Sequence, residues 1–297
     1  MSAALLASLL MASAPSATCQ PVGEGRTIET APGVVMHVRT VGQGRPVLYI
    51  PSLGRKVGDF DDLAARMARR GHMAILPEPR GAGGSSGPAA ANLFELAKDY
   101  AVILSALCSG PVDVVGHAFG NRVSRALATS APDRVATVAL LAGGGEVQPT
   151  EEVRTALNGS AAVGEKPDAE RLKDLQLAFF AKGNDPSVWL RGWVPAMART
   201  QGAANRATPP RDWWTAGHAP VLLVQAEEDP IAPPGNGAVL KRDIGERLSL
   251  VSLPHASHAI LPEQPEAVAA VLSAWFAGER AEPTLQAAID ERVRTPR

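Results

Sequence analysis

A charge imbalance of either sign is missing from this chain: 29 Lys and Arg stand against 30 Asp and Glu, a formal balance of −1 over 297 residues. Nothing in that balance draws the protein electrostatically to nucleic acid or to an anionic membrane. Cysteine is scarce as well. Cys19 and Cys108 are the only two, too few for a disulfide scaffold, and they leave the redox compartment open. No apolar run is long enough to predict a stable membrane span. Metal-ligand spacing, a dinucleotide fingerprint and a phosphate loop are all missing, and "RGAGGSSG" at 80–87 lacks the P-loop lysine and does not open a helix. No cofactor and no metal are implied, and there is no internal repeat or low-complexity tract.

What is present is an ordinary soluble composition, 45% hydrophobic and 20% charged, in a chain long enough to bury a sizeable core without metals or cross-links. The opening run "MSAALLASLLMASA" has the length of a secretory h-region and ends in small residues, which predicts a signal peptide over 1–18 and a periplasmic or secreted protein. Against it, no Lys or Arg precedes Arg26, and Pro15 sits where cleavage would fall. A mis-called start site or an amphipathic N-terminal extension, on a protein that is otherwise cytoplasmic, is the alternative.

Beyond the leader, strands alternate with helices. "RTIET" and "VVMHVRTVG" read as two strands around the Pro32-Gly33 turn, and "PVLYIPSLG" as a buried parallel strand ending in turn residues. Asp59 is placed to cap a helix with a stripe of Phe60, Leu63, Ala64 and Met67. Leu93, Leu96, Ala97, Tyr100 and Leu104 form the stripe of a second helix, and Val268, Val271, Leu272 and Trp275 that of a last one. This rhythm predicts an α/β fold, a mostly parallel sheet with helices on both faces. It breaks over 146–218, a polar helical stretch holding Trp189, Trp193, Trp213 and Trp214, which is expected to be a cap inserted after the sixth strand. The core is expected over 19–145 and 219–278, and the tail over 279–297 is expected to be peripheral.

Five motifs in order carry a resemblance: "PSLG" at 51–54, "PRGAGGSS" at 79–86, "GHAFG" at 116–120, "EEDPIAPP" at 227–234 and "ASHAILPEQPE" at 256–266. With them the chain, from about Val34 to Ala277, resembles the α/β-hydrolase fold superfamily. The resemblance implies a triad in the chain order nucleophile, acid, histidine. Ala118 occupies the nucleophile position on the elbow. His258 is the implied general base, with His255 as local rival, and Asp229 the residue that orients it, with Glu227 and Glu228 as rivals. The amides of Leu53 and Phe119 are the implied oxyanion donors. His117 reads as a structural histidine, Arg80 as a tie between loops, and Ser85 and Ser86 as turn residues.

A methyl group cannot attack a carbonyl, so Ala118 leaves three readings open. The chain is an engineered serine-to-alanine form, a natural binding protein with a degenerate elbow, or an enzyme using the His258–Asp229 pair without a covalent intermediate. Ser52 and Ser257 are the only nearby hydroxyls to weigh as substitutes, and neither is expected at the elbow's apex. The resemblance implies hydrolysis of a carboxylic ester through an acyl-enzyme as the parent activity. The expected partner is a small apolar or aromatic ester, in a pocket formed by Ser52, Phe179, Trp189, Trp193, Trp213 and Trp214.

Overall fold

A computed structural model of the chain describes residues 17–295; the expected signal peptide thus falls almost entirely outside the described residues. Eight strands form one sheet: β1 (Arg26–Ala31), β2 (Val34–Val41), β3 (Arg45–Ile50), β4 (His72–Pro77), β5 (Val112–His117), β6 (Val135–Leu141), β7 (Val221–Ala226) and β8 (Leu248–Leu253). Their order is β1-β2-β4-β3-β5-β6-β7-β8. β1 and β2 pair antiparallel, β2 runs antiparallel to β4, and the rest are parallel. β2 buries every second residue, whereas β4, β5 and β7 are buried throughout. The difference follows from position, since central parallel strands are covered on both faces.

The helices are α1 (Asp61–Ala68), α2 (Leu93–Leu107), α3 (Phe119–Ser130), α4 (Glu151–Ser160), α5 (Asp168–Phe179), α6 (Pro195–Arg206), α7 (Gly235–Ile244), α8 (Ile260–Glu263), α9 (Pro265–Phe276) and α10 (Glu282–Asp290). The apolar stripes of α2 and α3, with Leu240 and Ile244 of α7, form the core on one face of the sheet. Those of α1, α9 and α10 form it on the other. Each fully buried Leu, Ile, Val or Met in these layers contributes roughly 1.5–3 kcal/mol. α4, α5 and α6 all lie in the stretch between β6 and β7; α4 and α5 form a small cluster with Phe180, Trp189 and Ala259, while Ala204 of α6 joins the core of the first face.

From β3 the chain crosses to β4 on one side and then returns past β3 to β5 on the other. The order of the strands therefore reverses between β3 and β5, and a crevice opens above the carboxyl ends of these two parallel strands, where ligands bind in open α/β sheets.

Three details depart from expectation. Asp59 does not cap α1, which starts at Asp61 after a single 3₁₀ turn. It is drawn instead to Arg55, whose guanidinium is 2% exposed and receives both Asp59 oxygens, at 2.6 and 2.7 Å; a buried cation needs its counter-charge more than a helix end needs a cap. The tail is not peripheral along its length, because Leu285 and Ile289 of α10 are fully buried in the core. Over β8, Glu282 accepts the Leu250 amide at 2.9 Å, and Gln286 both accepts from Ser252 N and donates to Ser252 O at 2.9 Å.

The two cysteines, far apart in sequence, form a disulfide, Cys19–Cys108. It joins the first described residues to the end of α2, beside backbone bonds from Gln20 N to Leu107 O (2.8 Å) and from Ser109 N to Thr18 O (2.9 Å). Closing a loop of 89 residues restricts the unfolded chain, an effect of about 2–5 kcal/mol for native bridges. Cys108→Ser is therefore expected to lower stability by that amount in urea titrations. Reductant should bring the parent chain down to the variant's midpoint and leave the variant unmoved.

Candidate active site

The turn from β5 into α3 is set by two glycines. A Cβ on Gly116 would lie 2.4 Å from Ser124 Oγ and 2.5 Å from Gly120 O; one on Gly120 would lie 2.1 Å from Ile50 O. Only glycine lets α3 come this close to β3 and β5. Between them Ala118 is held at φ 50°, ψ −112°, a left-handed conformation that is strained for alanine. Its amide donates to Leu141 O at 3.0 Å, and its carbonyl accepts from the Asn121 backbone at 3.1 Å and from the Asn121 side chain. The Cβ of residue 118 is thereby presented at the crevice above the sheet.

A cavity of about 770 Å³ opens there, lined by Ser52, Leu53, Ala118, Phe119 and His258 among others. The Leu53 amide, in the turn after β3, and the Phe119 amide, at the first position of α3, donate to no acceptor among the described residues. First-turn amides of a helix have no partner within the helix, so both are available to an oxygen in the cavity.

His258 sits in the loop before α8, with Nδ1 2.9 Å from Asp229 Oδ2; the two residues are 4% and 2% exposed. The other Asp229 oxygen accepts from the amides of Ile231 (2.9 Å) and Ala232 (2.8 Å). A carboxylate facing Nδ1 keeps the ring proton on that nitrogen and leaves Nε2 as a free acceptor. Of the rival residues, Glu227 and Glu228 are exposed, and neither they nor His255 and Ser257 line the cavity. His117 is fully buried, and burial pulls its pKa down to about 3. It is neutral, and its Nε2 lies 2.8 Å from the carbonyl oxygen of His258, which fixes the backbone of that residue. Arg80 binds Asp99 and Pro88 O, Ser85 bridges His37 N and Glu78 O, and the backbone of Ser86 pairs with Val35, so these three tie loops together.

One carboxylate that sequence reasoning passed over joins this loop to the inserted stretch. Glu263 accepts from Ser257 N, Ala181 N and Asn184 Nδ2, each at 2.7 Å. Ala259 N adds a 2.7 Å bond to Phe179 O. The residues on both sides of His258 are thus fastened to the segment 179–184. Glu263 lies inside "LPEQPE", but only the fold reveals which amides it meets.

The aromatic residues divide. Phe179 and Trp193 line the cavity, as does Ser52, whereas Trp189, Trp213 and Trp214 do not, which corrects the expectation. Trp189 is 3% exposed, packed against His117, Phe179 and Phe180, with the Arg55 guanidinium 4.6 Å from its ring. Trp213 and Trp214 hold Arg125, at 5.3 and 4.5 Å from their ring centres, and Trp214 Nε1 donates to Asp243 at 2.8 Å. Buried cations claimed these rings. In their place the wall carries polar groups that the sequence reading did not single out, Arg122, Arg199, Asn205 and Arg206. Arg122 was within reach of sequence reasoning, because it follows Ala118 by four residues, one turn of the same helix.

A crossover sheet with a strained residue at the β5–α3 turn and a histidine–carboxylate pair beside it defines an α/β hydrolase. The chain belongs to the alpha/beta hydrolase family, whose model matches residues 47–271. Among curated proteins it is 26% identical over 255 residues to rhodomycin D methylesterase from Streptomyces sp. strain C5, covering 72% of this chain and 84% of that one. It is 28% identical over 247 residues to pimeloyl-[acyl-carrier protein] methyl ester esterase from Chromobacterium violaceum, covering 75% and 91%. Among solved structures it is similar in fold to an esterase from Thermogutta terrifontis, with a TM-score of 0.69 at 20% identity over 87% of this chain and all of that one. A second esterase, from Exiguobacterium antarcticum, gives 0.71 at 17% identity over 86% and all of that chain.

Burial pushes the Glu263 carboxyl up from 4.5 to about 7, against the pull of its three donors and with a smaller push from Asp229. The folded chain therefore keeps this proton over a range in which the unfolded chain has released it, and stability falls as pH rises from about 4.5 to about 7, by about 3 kcal/mol in all. Glu263→Gln removes this contribution. Urea titrations at pH 4.5 and 7.5 should show the parent losing about that much relative to the variant as pH rises; an equal change in both would contradict the assignment.

Proposed function

We propose that this chain is built to cleave a small carboxylic ester, with residue 118 in the nucleophile's place. His258 would act as general base, Asp229 would orient it, and the amides of Leu53 and Phe119 would hold the oxyanion. The carrying observation is the intact base: His258 Nδ1 on Asp229 at 2.9 Å, with His258 opening on the same cavity as Ala118 and the two unpaired amides. The methyl esterases among its relatives support an ester rather than another acyl bond. Phe179 and Trp193 suit an apolar or aromatic part of the substrate, and the stretch 146–218 would act as the cap over it. Export is part of the reading: the Cys19–Cys108 bridge fits an oxidising compartment, as the apolar leader does.

With a serine at 118, Oγ would attack the ester carbonyl while its proton moves to His258 Nε2. The alcohol would leave with that proton, and water, deprotonated by the same histidine, would release the acid. Alanine supplies no oxygen for the first step. A second reading rests on that fact: the chain as it stands holds a carbonyl ligand in a preformed site without turning it over.

Ala118→Ser is expected to raise hydrolysis of 4-nitrophenyl esters by about 10³-fold or more and to make the protein a target of a fluorophosphonate label. Both gains should vanish in Ala118→Ser/His258→Ala. If the serine form neither turns over nor takes the label, the esterase reading falls and ligand holding stands in its place.

A further inference from the structure

The cavity carries charges that ester chemistry does not use. α6 turns Ala198, Arg199, Gly202, Asn205 and Arg206 toward it, one helical face at spacings of three and four. This face is polar, whereas a helix packed on a core would show an apolar one. Gly202 adds no side chain to this face, and the Arg206 guanidinium lies close over it, 3.3 Å from where a Cβ would stand.

From the floor of the cavity Arg122 projects off α3. It is half-buried, and its side-chain partners among the described residues are neutral, Asn205 Oδ1 at 2.8 Å and the Trp213 ring at 5.8 Å from the guanidinium. Neither Arg122 nor Arg199 nor Arg206 meets a carboxylate among the described residues; a fourth arginine on the wall, Arg154, is already paired with Glu151 at 2.6 Å. Among the described residues, Glu165 is the one carboxylate on the cavity wall. Next to Arg122 on α3, Arg125 is 1% exposed and has no carboxylate partner among the described residues: it donates to Asn121 Oδ1 at 2.8 Å, Gly144 O at 3.3 Å and Trp214 O at 3.4 Å and lies over the Trp213 and Trp214 rings, while its Nε has no hydrogen-bond partner. Asn121 and Gly144 themselves line the cavity.

A guanidinium withdrawn from water and given only neutral partners has lost solvation that they do not fully replace. An anion entering the cavity restores it through charge-assisted, bidentate bonds. We infer that the cavity binds a small molecule carrying an anionic oxygen group, a carboxylate or a phosphate, held by Arg122 together with Arg199 and Arg206. Arg122 lies four residues beyond Ala118, so its backbone stands about 6 Å further along the axis of α3. Because Arg122 is recessed in the cavity, the anion belongs to the small ligand rather than to the surface of a protein. The inference names the substrate class of the site proposed above and rests on that reading of the cavity as the substrate site, though not on turnover.

The test uses the chain with Ala118, in which binding is an equilibrium, and calorimetry with ligands of nearly one shape: 4-acetoxybenzoate, 4-acetoxyphenyl phosphate and the neutral 4-acetoxybenzamide. At least one anion is expected to bind about tenfold or more tighter than the amide, the better of the two identifying the group recognised, and its advantage should shrink with added salt. Arg122→Gln, which keeps a donor for Asn205, should remove most of the preference. Arg199→Gln/Arg206→Gln, at exposed positions where folding is not at stake, should reduce it about threefold and flatten the salt dependence. Equal affinities, no binding of any of the three, or a preference that survives in the triple variant overturns the inference. Hydrolysis of neutral phenyl acetate by Ala118→Ser is measured alongside: turnover without anion preference sinks the anion site alone, and anion preference without turnover sinks the esterase reading alone.

Discussion

The missing side chain at Gly120 is the constraint on which the molecule turns. Where a Cβ would stand, the carbonyl oxygen of Ile50 lies only 2.1 Å away, so the first turn of α3 rests directly on the end of β3. That contact draws together two loops that the sheet order already places side by side. One carries Ser52 and Leu53, the other Ala118 and Phe119. The strain at Ala118 is sustained by its surroundings, with its amide on Leu141 and its carbonyl on Asn121. A larger residue at 120 would push α3 outward and separate the two amides without touching His258 or Asp229.

Much of this was legible in the sequence because it follows local rules. Periodicity placed the stripes of α1, α2 and α9, and turn residues marked the strand ends. The tight turn at the elbow showed itself through Gly116 and Gly120, whereas His258 and Asp229 were preferred to their neighbours through the family resemblance, and the structure brings that pair within hydrogen-bond distance. What escaped depends on contacts between distant parts of the chain. The pairing of Cys19 with Cys108 has no local signature. Four tryptophans in one stretch suggested a pocket, but Trp189, Trp213 and Trp214 sit on Arg55 and Arg125, and cation and ring are far apart in sequence. Asp59 lies only four residues from Arg55, but the burial of that guanidinium among Trp189 and Trp193, which makes the pairing matter, is set by the distant inserted stretch. In α10, Leu285 and Ile289 are the right spacing for one buried face, but two apolar residues among charged neighbours are a weak signal.

Glu263 shows how two separately encoded parts are made to agree. The histidine loop and the segment at 179–184 come from opposite sides of β7 and β8 in the chain, and each lends amide hydrogens to one buried carboxylate. With Phe179 packed on the His258 ring at 5.5 Å, the position of the imidazole and the shape of the cavity wall are a single mechanical unit. Movement of the inserted stretch therefore reaches His258 directly. A protein that must open to admit its ligand and close to act on it would couple entry with alignment in this way.

The covering of β8 bears on how the molecule meets copies of itself. As the last strand of the sheet, β8 would offer a row of unpaired amides and carbonyls, a template on which another strand can add. Glu282 occupies the amide of Leu250, and Gln286 takes the amide and carbonyl of Ser252 together, imitating with one side chain the two bonds that a neighbouring backbone would make. The edge is filled by the chain's own carboxyl-terminal helix. Edge-to-edge growth of the sheet, whether into a continuous dimer or into an aggregate, is closed on that side for as long as α10 stays docked. A clone trimmed at Glu279 to shed an apparently dispensable tail would reopen it, uncovering at once a sticky strand and the apolar seats of Leu285 and Ile289.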